Sequence, residues 1–125
     1  MSLHIEKEQS GDVAFLQCTG SMVRNDALCL LRDAVTGLAQ ARVIVLDLSE
    51  VTMLGARGLG MLVSLHNWAF SRGIQLKLVN PSRRVREILV LTGLTSVLNI
   101  SSFNDLIQMY CNADLAVENV HRAVA

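Results

Sequence analysis

Proline is almost missing from this sequence of 125 residues, which has one, and its eight glycines are spread out. That excludes a disordered or low-complexity chain. Neither sign of charge prevails, since lysine and arginine number 11 and aspartate and glutamate also 11. A general nucleic-acid binder is normally basic, so that class is set aside. Cysteine is limited to Cys18, Cys29 and Cys111, widely spaced and odd in number. They form neither a disulfide framework nor a Cys-x-x-Cys metal pair, and read as buried apolar thiols in a reducing cytosol. Long apolar runs are lacking as well. The longest stretch free of Asp, Glu, Lys and Arg, Ile88–Asn104, is broken by Thr, Gly, Ser and Asn. It is shorter than the roughly 20 apolar residues of a spanning helix. The N-terminus, Met-Ser-Leu-His-Ile-Glu-Lys-Glu, has no apolar run of the signal-peptide kind. The expectation is a cytoplasmic protein without a membrane span.

What is present is a core. Hydrophobic residues make up 51% of the chain, and a domain of this size buries roughly two-thirds of its unfolded surface without metal or disulfide staples. Residues 3–8 alternate weakly, Ser10-Gly11-Asp12 is a turn signal, and residues 13–18 follow as a strand, so the start reads as a hairpin. Asn25 or Asp26 is placed to cap a helix with Leu28, Leu31, Val35 and Leu38 on one face. Val43-Ile44-Val45-Leu46 is a continuous apolar run, the pattern of a central strand buried on both faces of a parallel sheet. Residues 58–70 read as a helix ended by Gly73, and residues 74–79 as the next strand. Asn80 as cap and Pro81 at the first helical position open a helix whose face is Val85, Ile88, Leu89 and Thr92, closed by Gly93. Residues 97–100 form a short last strand. Ser102 and Asp105 resemble a capping box for a final helix with Phe103, Leu106, Ile107 and Tyr110. The predicted order is β-β-α-β-α-β-α-β-α, an α/β single domain over residues 1–112 with a tail or helix extension over 113–125. Its sheet is mixed, mostly parallel and of about five strands.

No catalytic constellation stands out. Gly55-Ala56-Arg57-Gly58-Leu59-Gly60 lies between a strand and a helix, but its spacing fits neither G-x-G-x-x-G nor a phosphate loop with Gly-Lys-Ser/Thr. A tight turn or docking loop is the better reading than a nucleotide cradle. His4, His66 and His121 are far apart, with no metal spacing and no orienting carboxylate in sequence. There is no Gly-x-Ser-x-Gly elbow. Asp47, at the end of the apolar strand, reads as a turn former that bonds nearby backbone N–H groups. No metal or cofactor is expected, and no enzymatic turnover. Two features are less ordinary. Arg83, Arg84 and Arg86 crowd the opening turn of a helix, where each opposes the helix dipole at a cost of about 0.3–1 kcal/mol. A solvated face or an acidic partner accounts for them, and Arg57 sits at the same kind of boundary one helix earlier. The helix at 58–70 is apolar around nearly its whole circumference, as expected when a second side meets a partner or a neighbouring helix.

Taken together, Gly11-Asp12-Val13-Ala14-Phe15-Leu16, Gly20, Val43-Ile44-Val45-Leu46-Asp47-Leu48-Ser49-Glu50-Val51, Gly58-Leu59-Gly60-Met61-Leu62, Val79-Asn80-Pro81 and Leu91-Thr92-Gly93-Leu94 resemble the STAS domain family. That family includes the anti-sigma factor antagonists of bacteria. The likeness runs from about residue 4 to residue 110 in order and spacing. It implies a non-enzymatic module that binds an anti-sigma factor, itself a serine kinase, and so regulates transcription. In that branch, phosphorylation of a serine in an Asp-Ser-Ser-Gly segment at the start of the second helix breaks the complex.

Aligned on Gly58-Leu59-Gly60, the segment here is Gly55-Ala56-Arg57-Gly58, so the acid becomes Gly55, the phosphoacceptor Ala56 and the second serine Arg57. A further family acid falls on Val23. Ala56 has no hydroxyl, so the ordinary switch has no acceptor at this position, and Ser49 and Thr52 are the alternative acceptors in the preceding loop. The expected partner-binding residues are Gly55, Ala56, Arg57, Gly58, Leu59, Arg83 and Arg84, on a rim at the carboxyl ends of the strands. A second copy of the chain is a further candidate partner. The alternative role implied by the resemblance is a STAS subunit of a transporter or phospholipid-trafficking complex, or a domain that binds a small ligand.

Overall fold

A computed structural model describes residues 2–98 and 100–101. The chain forms β1 (Leu3–Ser10), β2 (Val13–Met22), α1 (Asn25–Thr36), β3 (Val43–Leu54), α2 (Ala56–Ser71), β4 (Gln75–Val79), α3 (Arg83–Leu91), a 3-10 turn (Leu94–Ser96) and β5 (Ile100–Ser101). The five strands lie in one sheet in sequence order, with β1 antiparallel to β2 and every other pair parallel. The mixed, mostly parallel α/β sheet expected from the sequence is therefore the observed one. The last predicted helix, the tail and Cys111 lie outside the described residues.

Neighbouring parallel strands joined in sequence order by right-handed crossovers place their helices on one face of the sheet. The core has that composition. Ala14, Leu16 and Cys18 of β2, Ile44, Leu46 and Leu48 of β3, and Leu76 and Leu78 of β4 share one buried cluster with the helices. Leu28, Leu31 and Val35 come from α1, Leu62, Leu65 and Ala69 from α2, and Val85 and Leu89 from α3. Each fully enclosed leucine in it contributes about 1.5–3 kcal/mol. The apolar run of β3 is buried on successive residues, Ile44, Val45 and Leu46, as a central strand requires.

Several local expectations are corrected. Residues 97–100 do not form the last strand, because a 3-10 turn extends to Ser96 and pairing begins at Ile100. The second helix opens at Ala56 rather than residue 58. Its second apolar side is taken up within the domain, since Leu59, Met61, Val63 and Trp68 pack against the core while Phe70 stays exposed. Cys18 is buried but Cys29 is exposed on α1.

Most consequential is β3, which runs twelve residues and takes in the stretch from Val51 to Leu54 that the sequence presents as loop. Its core residues step as 44, 46, 48, 51 and 54, and the pairing with β2 slips twice over the same region, between Gln17 and Thr19 and between Gly20 and Ser21. Two extra residues on β3 thus bend and twist the strand as bulges do. Exposed pairs, Ser49-Glu50 and Thr52-Met53, are left facing solvent at the end of the sheet.

Candidate functional site

The carboxyl ends of β2 and β3 meet the starts of all three helices. Two backbone contacts place α2 there. Gly55 N–H reaches the Met22 carbonyl at 3.5 Å, and Gly58 is buried so tightly that a Cβ on it would lie 2.5 Å from the Met22 carbonyl oxygen and 2.6 Å from Leu54 Cδ1. Gly58 is needed for this close approach of helix to strand. Gly55 is different. Its backbone is extended, and a Cβ there would meet only the Val23 methyls at 3.8 Å.

Polar ties place α3. Ser82 is its N-cap, accepting from Val85 N–H at 3.4 Å and donating its hydroxyl to the Val51 carbonyl of β3 at 2.7 Å. Its own N–H donates to the Leu48 carbonyl at 3.2 Å. The expected cap at Asn80 with Pro81 in the helix is thereby corrected. Asn80 takes a left-handed turn with φ of 49°, which asparagine tolerates, and Pro81 precedes the helix.

The start of α1 also differs from expectation. Arg24 is the cap position, without a side-chain cap bond, and Asp26 accepts from the adjacent Ala27 N–H at 3.0 Å beside its ion pair with Arg24. Asn25, read as a cap, instead accepts a hydrogen bond from Arg57 Nη1 at 2.7 Å, tying the start of α1 to the start of α2.

The expected site residues can now be placed. Ala56 is the first residue of α2 and is exposed, as are Arg57, Arg83 and Arg84. Arg83 pairs with Glu87 one turn on, at 3.4 Å, which offsets part of its opposition to the helix dipole. Arg84 lines an open groove with Ser49, Glu50, Val51, Thr52, Met53 and Ser82. Leu59 is half-buried against the core, so it contributes less surface than its neighbours. Among the alternative acceptors, the Thr52 hydroxyl donates to the Gly20 carbonyl at 3.1 Å. Ser49 is exposed in the groove, its N–H bonded to Asp47 Oδ1 at 2.9 Å, so Asp47 bonds a nearby N–H as read, but within β3 rather than in a turn.

Ser82 is the residue of this region that sequence reading missed, because it sits one position after a Pro that looked helical. Met53 and Val23 are 43% and 39% exposed. Val23 and Gly55 lie side by side, with the Val23 methyls 3.8 Å from where a Cβ on Gly55 would stand.

Burial first, and the Asp47 carboxylate second, push the Cys18 thiol up to about 12, so it is an inert core group. Burial lowers the Lys77 ammonium from its ordinary range. His66 is half-buried and has no ion pair among the described residues, and exposed His4 lies 3.6 Å from exposed Glu6. No group of three His, Cys, Asp or Glu able to hold a metal occurs among the described residues, and no described helix is long and apolar enough to cross a membrane.

The starts of the three helices thus gather at the carboxyl ends of β2 and β3. The sequence matches the STAS domain family over residues 4–107, and the chain belongs to that family. No curated protein matches the sequence. Among solved structures, an anti-sigma factor antagonist from Mycobacterium paratuberculosis is similar at 21% identity and a TM-score of 0.73, over 86% of this chain and 93% of that one. Unphosphorylated SpoIIAA, also an anti-sigma factor antagonist, aligns at 14% identity and a TM-score of 0.72, over 87% and 97% of the two chains. The phosphorylated form of the Bacillus protein aligns at 14% identity and a TM-score of 0.66, over 86% and 99%. At these identities the likeness establishes the fold.

Proposed function

We propose that this chain is a cytoplasmic, non-enzymatic interaction module that acts as an anti-sigma factor antagonist. It binds an anti-sigma factor of the serine-kinase type through the rim formed by Gly55–Leu59 and Arg83–Arg84, and so regulates transcription. The observation that carries this reading is the position of Ala56. It is the exposed first residue of α2, at the end of the sheet where the three helix starts meet.

With alanine there, the partner's kinase activity has no acceptor at the usual switch position, and binding is constitutive at that position. A phosphate on such a site would bring about −1.5 to −2 charges and disrupt an interface by repulsion and desolvation. The test is photo-crosslinking in the source cell from a crosslinking amino acid placed at Ala56, with one at Glu8 on β1 as control. The expected result is a protein adduct from Ala56 that is missing from Glu8, its protein component carrying a kinase-type ATP site. Adducts of equal yield from both positions, or none from Ala56, contradict the rim as the docking surface.

A further inference from the structure

The charge around the rim is unevenly compensated. Arg24 pairs with Asp26 at 3.4 Å and Arg83 with Glu87 at 3.4 Å. Arg57 and Arg84 have no ion pair among the described residues. Arg57 is nonetheless held in place, because its Nη1 donates to the Asn25 amide oxygen at 2.7 Å. An amide oxygen orients a guanidinium without cancelling its charge. Arginine has five N–H donors and this tie uses one, leaving an oriented fork for a planar anion. Holding the side chain beforehand also removes part of the entropy lost on binding.

Ala56 precedes it in the chain, exposed Val23 lies against the neighbouring Gly55, and exposed Met53 shares the groove with Arg84. Glu50 is the sole carboxylate lining that groove. The rim therefore combines exposed apolar side chains with two guanidinium groups that have no ion pair among the described residues.

We infer that Arg57, oriented by Asn25, is the receptor for a carboxylate on the protein partner, with Arg84 a second basic contact. The partner surface that fits is acidic around an apolar side chain that meets Val23 and Met53. This rests on the reading of the rim as a protein-docking surface. It goes further by making Arg57 a specificity-determining residue and Asn25 its positioning residue.

The decisive variant is Asn25→Asp. It keeps an acceptor for Arg57 at the same place and adds an acid in the first turn of α1, which the helix dipole favours. It also neutralises the charge that the partner requires. The probe is the protein cross-linked at Ala56, purified and titrated against wild type, Asn25→Asp, Arg57→Lys and Arg57→Glu at low and high salt.

The expected result is about tenfold weaker binding by Asn25→Asp with an unchanged or raised melting midpoint. Arg57→Glu should lose more, Arg57→Lys should be intermediate, and the wild-type affinity should fall as salt rises. Unchanged or tighter binding by Asn25→Asp, or an affinity indifferent to salt, overturns the carboxylate receptor while leaving the rim as docking surface intact. No specific adduct at Ala56 overturns the docking surface itself.

Discussion

The starts of α2 and α3 stand side by side on the rim and are built by opposite means. At α3 a side chain does the work: Ser82 caps the helix and anchors it to β3 through the Val51 carbonyl. At α2 no side chain caps the helix, and the position is set by how closely Gly58 lets the backbone approach Met22 and Leu54. One start depends on hydrogen bonds and the other on the absence of a methyl group. A helix held by packing leaves its first residue, Ala56, free of capping duty and exposed, and Arg57 beside it exposed with a single tie to Asn25.

The largest effect should therefore come from the smallest addition. Gly58→Ala places a methyl against a backbone carbonyl that cannot swing aside, and is expected to cost about 3 kcal/mol in urea unfolding, at the upper end for overpacking. A loss under about 1 kcal/mol would show that α2 is not seated by this contact. Ser82→Ala comes next, at about 1–2 kcal/mol for a lost cap. Its cost should be recovered in large part by Ser82→Thr, which keeps the hydroxyl, and a neutral Ser82→Ala would remove the contrast between the two helix starts.

Gly55→Ala, three residues before Gly58, should change stability by less than about 0.5 kcal/mol, because its backbone is extended and its added methyl meets only Val23. A large loss there would mean that the whole turn, rather than Gly58, sets the helix.

The core thiol supplies an effect that vanishes at neutral pH. The folded Cys18 keeps its proton up to about pH 12 against an ordinary value of 9.0, so the folded chain holds more protons in that window. Stability should then fall as pH rises from about 9 toward 12, and be flatter in Cys18→Ala. Equal alkaline slopes for the two proteins would show that Cys18 is not sealed in the core.

Much of the fold was legible because its elements obey one period each. The α1 face of Leu28, Leu31 and Val35 is buried as the helical spacing predicted, and Leu38, read as its continuation, is buried in the turn after the helix. The turn glycines Gly11, Gly73 and Gly93 all take positive φ. Legibility ended where the period changed. After Leu48 the buried residues of β3 step by three, so Ser49-Glu50 and Thr52-Met53 look like loop although the strand continues through them.

The cap of α3 was misplaced because Asn80 and Ser82 are both credible caps two residues apart, and the bonds of Ser82 to Val85 N–H and to the Val51 carbonyl decide between them. In the candidate site, the sequence marked Ala56, Arg57 and the arginines of α3. It had no means of pairing Arg57 with Asn25, 32 positions away, since that contact depends on the close seating of α2 that Gly58 permits.

The central claim is that the rim docks its partner without a phosphate switch at the start of α2. Intact-mass measurement tests it most directly, after incubating the chain with ATP and the protein cross-linked at Ala56, beside the variant Gly55→Asp/Ala56→Ser/Arg57→Ser. The account predicts an unchanged mass and retained binding for the wild type, and one added phosphate with release of the partner for the variant. A stoichiometric phosphate on the wild type, at Ser49 or Thr52, with release of the partner, would contradict it.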